Sequence, residues 1–237
     1  MSALYVNASG EIFAAGQSAI LNLTAGAPGT TENSSDVFLG LWGTSDGASL
    51  FAVGNAGFYA RASTGAWALT VEVPAGSTAP VSAYRTIWGS SPTNIYLAGG
   101  YRPSPSLGFR TAIAEDVNGT WNNVTPTGNN VEAMWGTSAT DLYFVGDFGS
   151  IVHSDGTTLT SQQNTNVTTA NLYGIYGTSP TNLYAVGASG VILHSTGDGT
   201  WAVQNSGTTN TLYGIWASSS TDWYAVGAAG TILHGAP

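Results

Sequence analysis

The 237-residue chain has no cysteine and no lysine, and charge of either sign is scarce. Without cysteine there is no disulfide framework, no thiolate zinc site and no cysteine nucleophile. A domain of this size buries about 70–75% of its unfolded surface, so it can hold a core without such staples. The four basic residues are all arginines (Arg61, Arg85, Arg102 and Arg110), set against a net charge of −9. Such a chain cannot neutralise phosphates along a strand, which excludes sequence-independent nucleic-acid binding. Anionic membrane surfaces are disfavoured for the same reason. No apolar run approaches the roughly 18 residues of a spanning helix, so no membrane insertion is expected. The opening Met-Ser-Ala-Leu-Tyr-Val-Asn has neither the basic nor the apolar region of a signal peptide. Ser, Thr, Asn and Gly must cover the surface, a look associated with extracellular or cell-envelope proteins, and that is the expected location.

What the chain does have is a repeat. Leu172–His194 reads LYGIYGTSPTNLYAVGASGVILH and Leu212–His234 reads LYGIWASSSTDWYAVGAAGTILH. Looser copies begin at Gly40, Thr86 and Ala133, and an eroded one at Leu4. The Gly closing the Tyr-Ala-Val-Gly element falls at 16, 54, 99, 146, 187 and 227. A period of about 40–45 residues, with strand-like segments between glycine turns, is that of propeller blades. Apolar residues show no helical period.

Each copy divides into four strands, A to D. In the last copy A is Tyr213–Trp216, B is Trp223–Val226 and C is Thr231–His234; D is clearest at Trp201–Gln204. Along strand B, Leu183 and Ala185 face one way while Tyr184 and Val186 face the other. Both faces are apolar, as in a sheet sandwiched between two others. The expected fold is all-β: a six-bladed β-propeller of four-stranded antiparallel blades, the last incomplete. Five blades is the alternative, because the first copy is so worn. One domain, 1–237, would hold approximate repeats 4–36, 37–83, 84–130, 131–170, 171–210 and 211–237.

The pattern WGTS-x-x-D-LYAVG-x-x-G-x-ILH, followed by Gly-Thr-Trp, resembles the repeats of bacterial propellers common in myxobacterial surface and secreted proteins. It is more distantly similar to the Ycf48 and BNR (Asp-box) propellers. Ser195-Thr-Gly-Asp198-Gly-Thr-Trp201 carries the Ser, Asp, Gly and Trp of an Asp box but is one residue short, and Asn118-Gly-Thr-Trp121 is a second relic. The resemblance implies that these turns join strands C and D and are structural. It covers nearly the whole chain and speaks to fold, since such propellers host unrelated activities.

No chemistry-bearing motif stands out. His153, His194 and His234 share one repeat position, at the end of strand C, but successive blades spread such positions too far apart for one metal ion. Each imidazole is expected to bond a turn. The strand-A aromatics Trp42, Trp88, Trp135, Tyr176 and Trp216 are either core or a sugar-stacking ring, with core favoured. An Asp-box glycosidase would need an arginine triad and an inward carboxylate pair, and the sequence offers neither pattern. No catalytic residue, metal or cofactor is expected. The insertions are more informative. The B–C loop of the third copy, Tyr101–Arg110, is long, as are the D–A connections 25–36 and 74–83, and all fall on one end of an up-and-down blade. Tyr101, Arg102, Phe109 and Arg110, with Arg61 and Arg85, are the candidate ligand-binding residues.

The reading is a non-catalytic recognition module, lectin-like or adhesin-like, using one face and the grooves between blades to bind a glycan or a surface protein. The alternative is a self-assembling scaffold without a small ligand, and an Asp-box-type glycosidase comes third. The chain stops three residues after His234, so strand C of the last copy should present an open edge, through which homo-oligomers would form.

Overall fold

A computed structural model describes residues 3–24, 33–55, 57–62, 68–70, 81–101, 110–118, 120–123 and 129–235. The chain divides into two compact units, Met1–Thr127 and Gly128–Pro237. Among the described residues the regular structure is antiparallel strand, apart from three single-turn 3-10 segments.

In the first unit, β1 (Ala3–Val6), β2 (Ile12–Asn22), β3 (Asn33–Gly43), β4 (Ser49–Gly54), β5 (Gly57–Ala62) and β6 (Ala68–Thr70) form one six-stranded sheet in that order. β7 (Val81–Ser91), β8 (Asn94–Tyr101), β9 (Arg110–Val117) and β10 (Thr120–Asn123) form a four-stranded meander. In the second unit, β11 (Val131–Ser138), β12 (Asp141–Gly146), β13 (Ile151–Ser154) and β14 (Leu159–Ser161) make one sheet. β15 (Leu172–Ser179), β16 (Asn182–Gly187), β17 (Ile192–Ser195) and β18 (Ala202–Gln204) make the next. β19 (Leu212–Ala217), β20 (Trp223–Gly227) and β21 (Ile232–Gly235) make a three-stranded last sheet among the described residues. Strands A, B, C and D of the repeat are thus β15 to β18, and the fourth strand of the last copy is not among the described elements.

The expectation of six blades is corrected to five sheets, the alternative count. The first copy makes no sheet of its own, and the reason lies in β3. This eleven-residue strand pairs at its start with β2, through Gln17↔Val37 and Ala19↔Asn33, and from Phe38 onward with β4. One strand serves both copies, so their ladders merge. The Leu23 amide also donates to the Ile12 carbonyl at 2.7 Å, which returns the far end of β2 beside its start.

The core is built of opposed sheet faces, as the alternation in strand B requires. In the second unit Leu183, Ala185 and Leu193 pack with Tyr143, Val145 and Ile151 of the sheet before. On the other face, Tyr184, Val186 and Ile192 pack with Leu212, Ala217 and Ala225 of the sheet after. Each fully buried aliphatic side chain contributes about 1.5–3 kcal/mol over the exposed state. In the first unit Phe51, Val53, Tyr84, Ile87, Ile95 and Leu97 join the first sheet to the second in the same way.

The glycine closing strand B is fixed by proximity rather than by backbone angle. Gly187 and Gly227 are extended, with φ −169 and −159. A Cβ on Gly187 would lie 2.0 Å from the Asn171 carbonyl oxygen, and one on Gly227 2.2 Å from that of Thr211. The same carbonyls accept the next amide, Ala188 N at 2.8 Å and Ala228 N at 2.7 Å, so the chain cannot simply move away. Replacing Gly187 by Ala should therefore cost about 1–3 kcal/mol through forced backbone displacement. Thr196→Ala, at an exposed loop position, should cost less than about 0.5 kcal/mol. Urea unfolding of the two variants measures the difference, and equal midpoints would refute the close-approach account.

Candidate functional site

The hairpin joining strands B and C has one geometry three times over in the second unit. Phe148 (φ 56, ψ 32), Ser189 (φ 57, ψ 26) and Ala229 (φ 53, ψ 29) are each followed by a positive-φ glycine, Gly149, Gly190 and Gly230. The turns close through Ser150 N to Asp147 O (3.1 Å), Val191 N to Ala188 O (3.2 Å) and Thr231 N to Ala228 O (3.0 Å). These are type I′ turns, whose twist suits the flanking strands but which demand left-handed backbone at both central positions. Glycine meets the demand at the second position. Phe, Ser and Ala meet it at the first against the steric cost of a Cβ.

Each turn is tied to the segment that leads into a strand A. Asp147 N donates to Asn130 O (3.1 Å), as Ala188 N does to Asn171 O and Ala228 N to Thr211 O. Phe148 is held twice more: its amide donates to Asn171 Oδ1 at 2.9 Å, and its carbonyl accepts from Gln163 Nε2 at 2.6 Å. B–C turns and D–A connections therefore form one surface in this unit. Phe148 stands on that surface 61% exposed, where the equivalent residues are Ser and Ala. Sequence reasoning missed it. The signal was present in Gly146-Asp-Phe-Gly-Ser150, where a bulky residue occupies a position that calls for positive φ.

Tyr101 and Arg110 are the last register pair of β8 and β9. They open the long B–C connection, whose residues 102–109, including Arg102 and Phe109, lie outside those described. The side chains of Tyr101, Arg110 and Arg61 also lie outside them. Arg61 stands on β5 opposite Leu50, and Arg85 is half-buried on β7, its carbonyl oxygen 3.2 Å from where a Cβ on Gly40 would lie.

Three of the strand-A aromatics, Trp42, Trp135 and Tyr176, pack between sheets. A Cβ on Gly89 would meet the Trp42 ring at 2.8 Å, and one on Gly177 the Trp135 ring at 2.6 Å, so each Trp lies over a neighbour's glycine. Trp135, Tyr176 and Trp216 follow one another at 6.2 and 6.3 Å, and Trp88 leans on Tyr96 at 6.2 Å. Trp42, Trp88, Trp135 and Tyr176 are half-buried, whereas Trp216 is exposed.

Each histidine bonds the residue that opens its own strand B, not the turn expected. Nε2 of His153 meets Asp141 Oδ1 at 2.9 Å, that of His194 meets Asn182 Oδ1 at 2.9 Å, and that of His234 meets Asp222 Oδ1 at 2.7 Å. The rings lie on Tyr143, Tyr184 and Tyr224, with centroids 4.4, 4.5 and 4.2 Å away. Burial holds the His194 imidazole below the usual histidine range. Thr137 and Ser218 hydroxyls donate to Asp141 and Asp222, and the Asn182 amide donates to Thr178. Ser218, Asp222 and His234 are the residue types of a nucleophilic triad, but the hydroxyl is bonded to the carboxylate and not to the imidazole. A triad needs the reverse order. Recurrence in three copies, once with Asn in the middle, marks the chain of bonds as stitching across the sheet. Among the described residues no group of three His, Asp or Glu could hold a metal ion.

The C–D turns are closed by aspartates. Asp155 Oδ1 accepts from Thr157 and Thr158 amides, and Asp198 Oδ1 from the Thr200 amide and hydroxyl at 2.9 and 2.7 Å. Trp201 is buried, and its Nε1 donates to Gln162 Oε1 at 2.9 Å. The Thr200 hydroxyl, and then its amide, hold the Asp198 carboxyl below the usual range; the Thr158 amide does most for Asp155. A depressed folded value means that the stabilisation is complete above the unfolded value of about 3.9 and is lost as pH falls through the folded one. Asn keeps the accepting oxygen but does not titrate. The Asp155→Asn/Asp198→Asn variant should have a lower urea midpoint than the parent near neutrality, and the gap should close as pH falls from about 5 to 2.

Known protein-family models and curated protein sequences give no match to this chain. Solved structures do. The WD40 repeats of RRP9 superpose with a TM-score of 0.76 at 10% identity, over 98% of this chain and 74% of that one. A chain of the mitotic checkpoint complex gives 0.73 at 12% identity, over 97% and 73%. YCF48 from Cyanidioschyzon merolae gives 0.50 at 11% identity, over 99% and 94%. At these identities the likeness is one of fold: the chain is an all-β propeller of four-stranded antiparallel blades.

Proposed function

We propose that the protein is a non-catalytic interaction module that binds a protein partner through the face carrying its B–C turns. The observation that carries this reading is Phe148, a large apolar side chain held out to solvent on a left-handed backbone fixed at both its amide and its carbonyl. Strained and over-determined positions cluster at functional sites. A rigid exposed aromatic is also what an interface anchor requires, because little entropy is lost on docking. The long connection 102–109 stands at the equivalent B–C position of the first unit's meander. The fold supports the same reading, since one of the similar structures is part of a multiprotein complex. Glycan stacking is less favoured. Of the five strand-A aromatics only Trp216 is exposed, and neighbouring sheets pack on Trp42, Trp135 and Tyr176.

Selection of a displayed peptide library on the intact protein tests this directly. Selected peptides should bind Phe148→Ala at least about tenfold more weakly, with unchanged melting. Replacing Tyr101–Arg110 by Gly-Ala-Ala-Gly tests the corresponding loop of the first unit in the same assay. Peptide affinity that survives Phe148→Ala would remove the site from this face. Signal on a glycan array with no peptide selected would replace the protein partner with a sugar. The turn backbone supplies a separate control: Ala229→Asn, which tolerates positive φ, should raise stability by about 0.5–1 kcal/mol, seen as a higher melting temperature.

A further inference from the structure

The three B–C turns of the second unit share one backbone, so what differs between them stands out against a constant frame. Ahead of the positive-φ glycine they read Asp147-Phe148, Ala188-Ser189 and Ala228-Ala229. One more position at this end varies with them. Each strand A is bulged beside the glycine that closes strand B, between Val131 and Ala133, Leu172 and Gly174, and Leu212 and Gly214. The bulged residues are Glu132, Tyr173 and Tyr213. At both positions the sheet β11–β14 carries a carboxylate where the next two carry neutral side chains, and it does so on the turn that presents Phe148.

The backbone gathers the three residues at one end of the sheet. Asp147 N donates to Asn130 O at 3.1 Å, and Asn130 Nδ2 donates to Glu132 Oε1 at 2.5 Å. Asn130 is buried, and through these bonds it ties the turn to the bulge. Asp147 and Glu132 are half-buried beside the exposed Phe148. The fold does not require the two charges, since the next two copies close the same turn and the same bulge without them. The second unit as a whole has six acidic residues and no lysine or arginine. An aromatic ring beside two carboxylates attracts a cation twice over, through the face of the ring and through the charges.

We infer that the partner docking at this end presents a basic segment, in which an apolar residue flanked by arginine or lysine meets Phe148 and the cations meet Glu132 and Asp147. The inference rests on the reading of this end as the interface, and adds the chemistry of what docks there. The chain's net charge of −9 also steers a basic segment toward it, an effect that salt screens.

Two displayed peptide libraries selected on the full chain test this, one encoding Arg and Lys and one with Gln in their place. Binders should come from the first, and their Kd should rise at least about tenfold between about 50 and about 500 mM sodium chloride. Glu132→Gln/Asp147→Asn keeps both accepting oxygens, and should weaken these peptides at least about tenfold at the lower salt with unchanged melting. Asp155→Asn/Asp198→Asn removes as much charge from the C–D turns at the opposite end, and should weaken them less than about threefold. Equal yield from the two libraries overturns the inference, as does affinity indifferent both to salt and to Glu132→Gln/Asp147→Asn. If such affinity still falls with Phe148→Ala, the interface reading stands and only the basic partner is lost. Binders indifferent to Phe148→Ala remove the interface itself, and the inference with it. Should the charge variant fail to fold, selected peptides remade with Gln for Arg and Lys decide on the parent. At least about tenfold weaker binding is expected, and equal binding sinks the idea.

Discussion

The sheet β15–β18 is apolar on both faces, so it depends on a neighbouring sheet on each side to cover it. Leu183 and Tyr184 are adjacent in sequence, point opposite ways and are both buried, each by a different sheet. A sheet covered in this way has no solvent face to carry charge, in keeping with how little charge the chain has. Such covering also sets the fine packing. A Trp can lie flat between sheets only where the facing strand offers no Cβ, as Gly89 does for Trp42 and Gly177 for Trp135. The large aromatic of one copy and the glycine of the next are two sides of one contact.

With charged residues scarce, polar order in the second unit comes from short neutral and singly charged hydrogen bonds inside the blades. The Thr/Ser–Asp/Asn–His chain pins the start of strand B to the end of strand C, and the tyrosine beneath supplies the imidazole with a flat apolar floor. The C–D aspartates tie their turns from within. Such bonds are worth about 1 kcal/mol each in net terms. They fix geometry while sheet-on-sheet burial supplies most of the stability. The chemistry of a nucleophilic triad is therefore present in residue type and absent in wiring.

The B–C turns show how a scaffold of this kind can vary without disturbing its core. The turn backbone is set by the twist of the strands, and the adjoining carbonyls of Asn130, Asn171 and Thr211 lock it in place. Any side chain at the first central position is held out rigidly from the fold. Ser and Ala leave that position quiet, and Phe148 makes it a projecting apolar group. Its support comes from Gln163 and Asn171, 15 and 23 residues away along the chain, so the rigidity belongs to the assembled blade and not to the local turn.

The sequence alone determined the class of fold and the strands of each copy, because periodicity and alternation are local. β19 to β21 lie within a residue or two of where the pattern put them. It also picked out the strand-B glycines by their period, while the crowding that requires them comes from the carbonyls of Asn171 and Thr211, distant in the chain. The blade count was decided in three dimensions. The first copy has the residues of a blade, but hydrogen bonding along the long β3 merges its ladder with that of the second. The candidate site was hidden for the same kind of reason. Residue type ranked Arg and Tyr in a long loop above one Phe in a short one, while the fixed exposure of Phe148 depends on bonds to Gln163 and Asn171, in the connection between β14 and β15. Composition and period are written along the chain, but which faces are covered, and which are left open, follows from what each sheet meets in space.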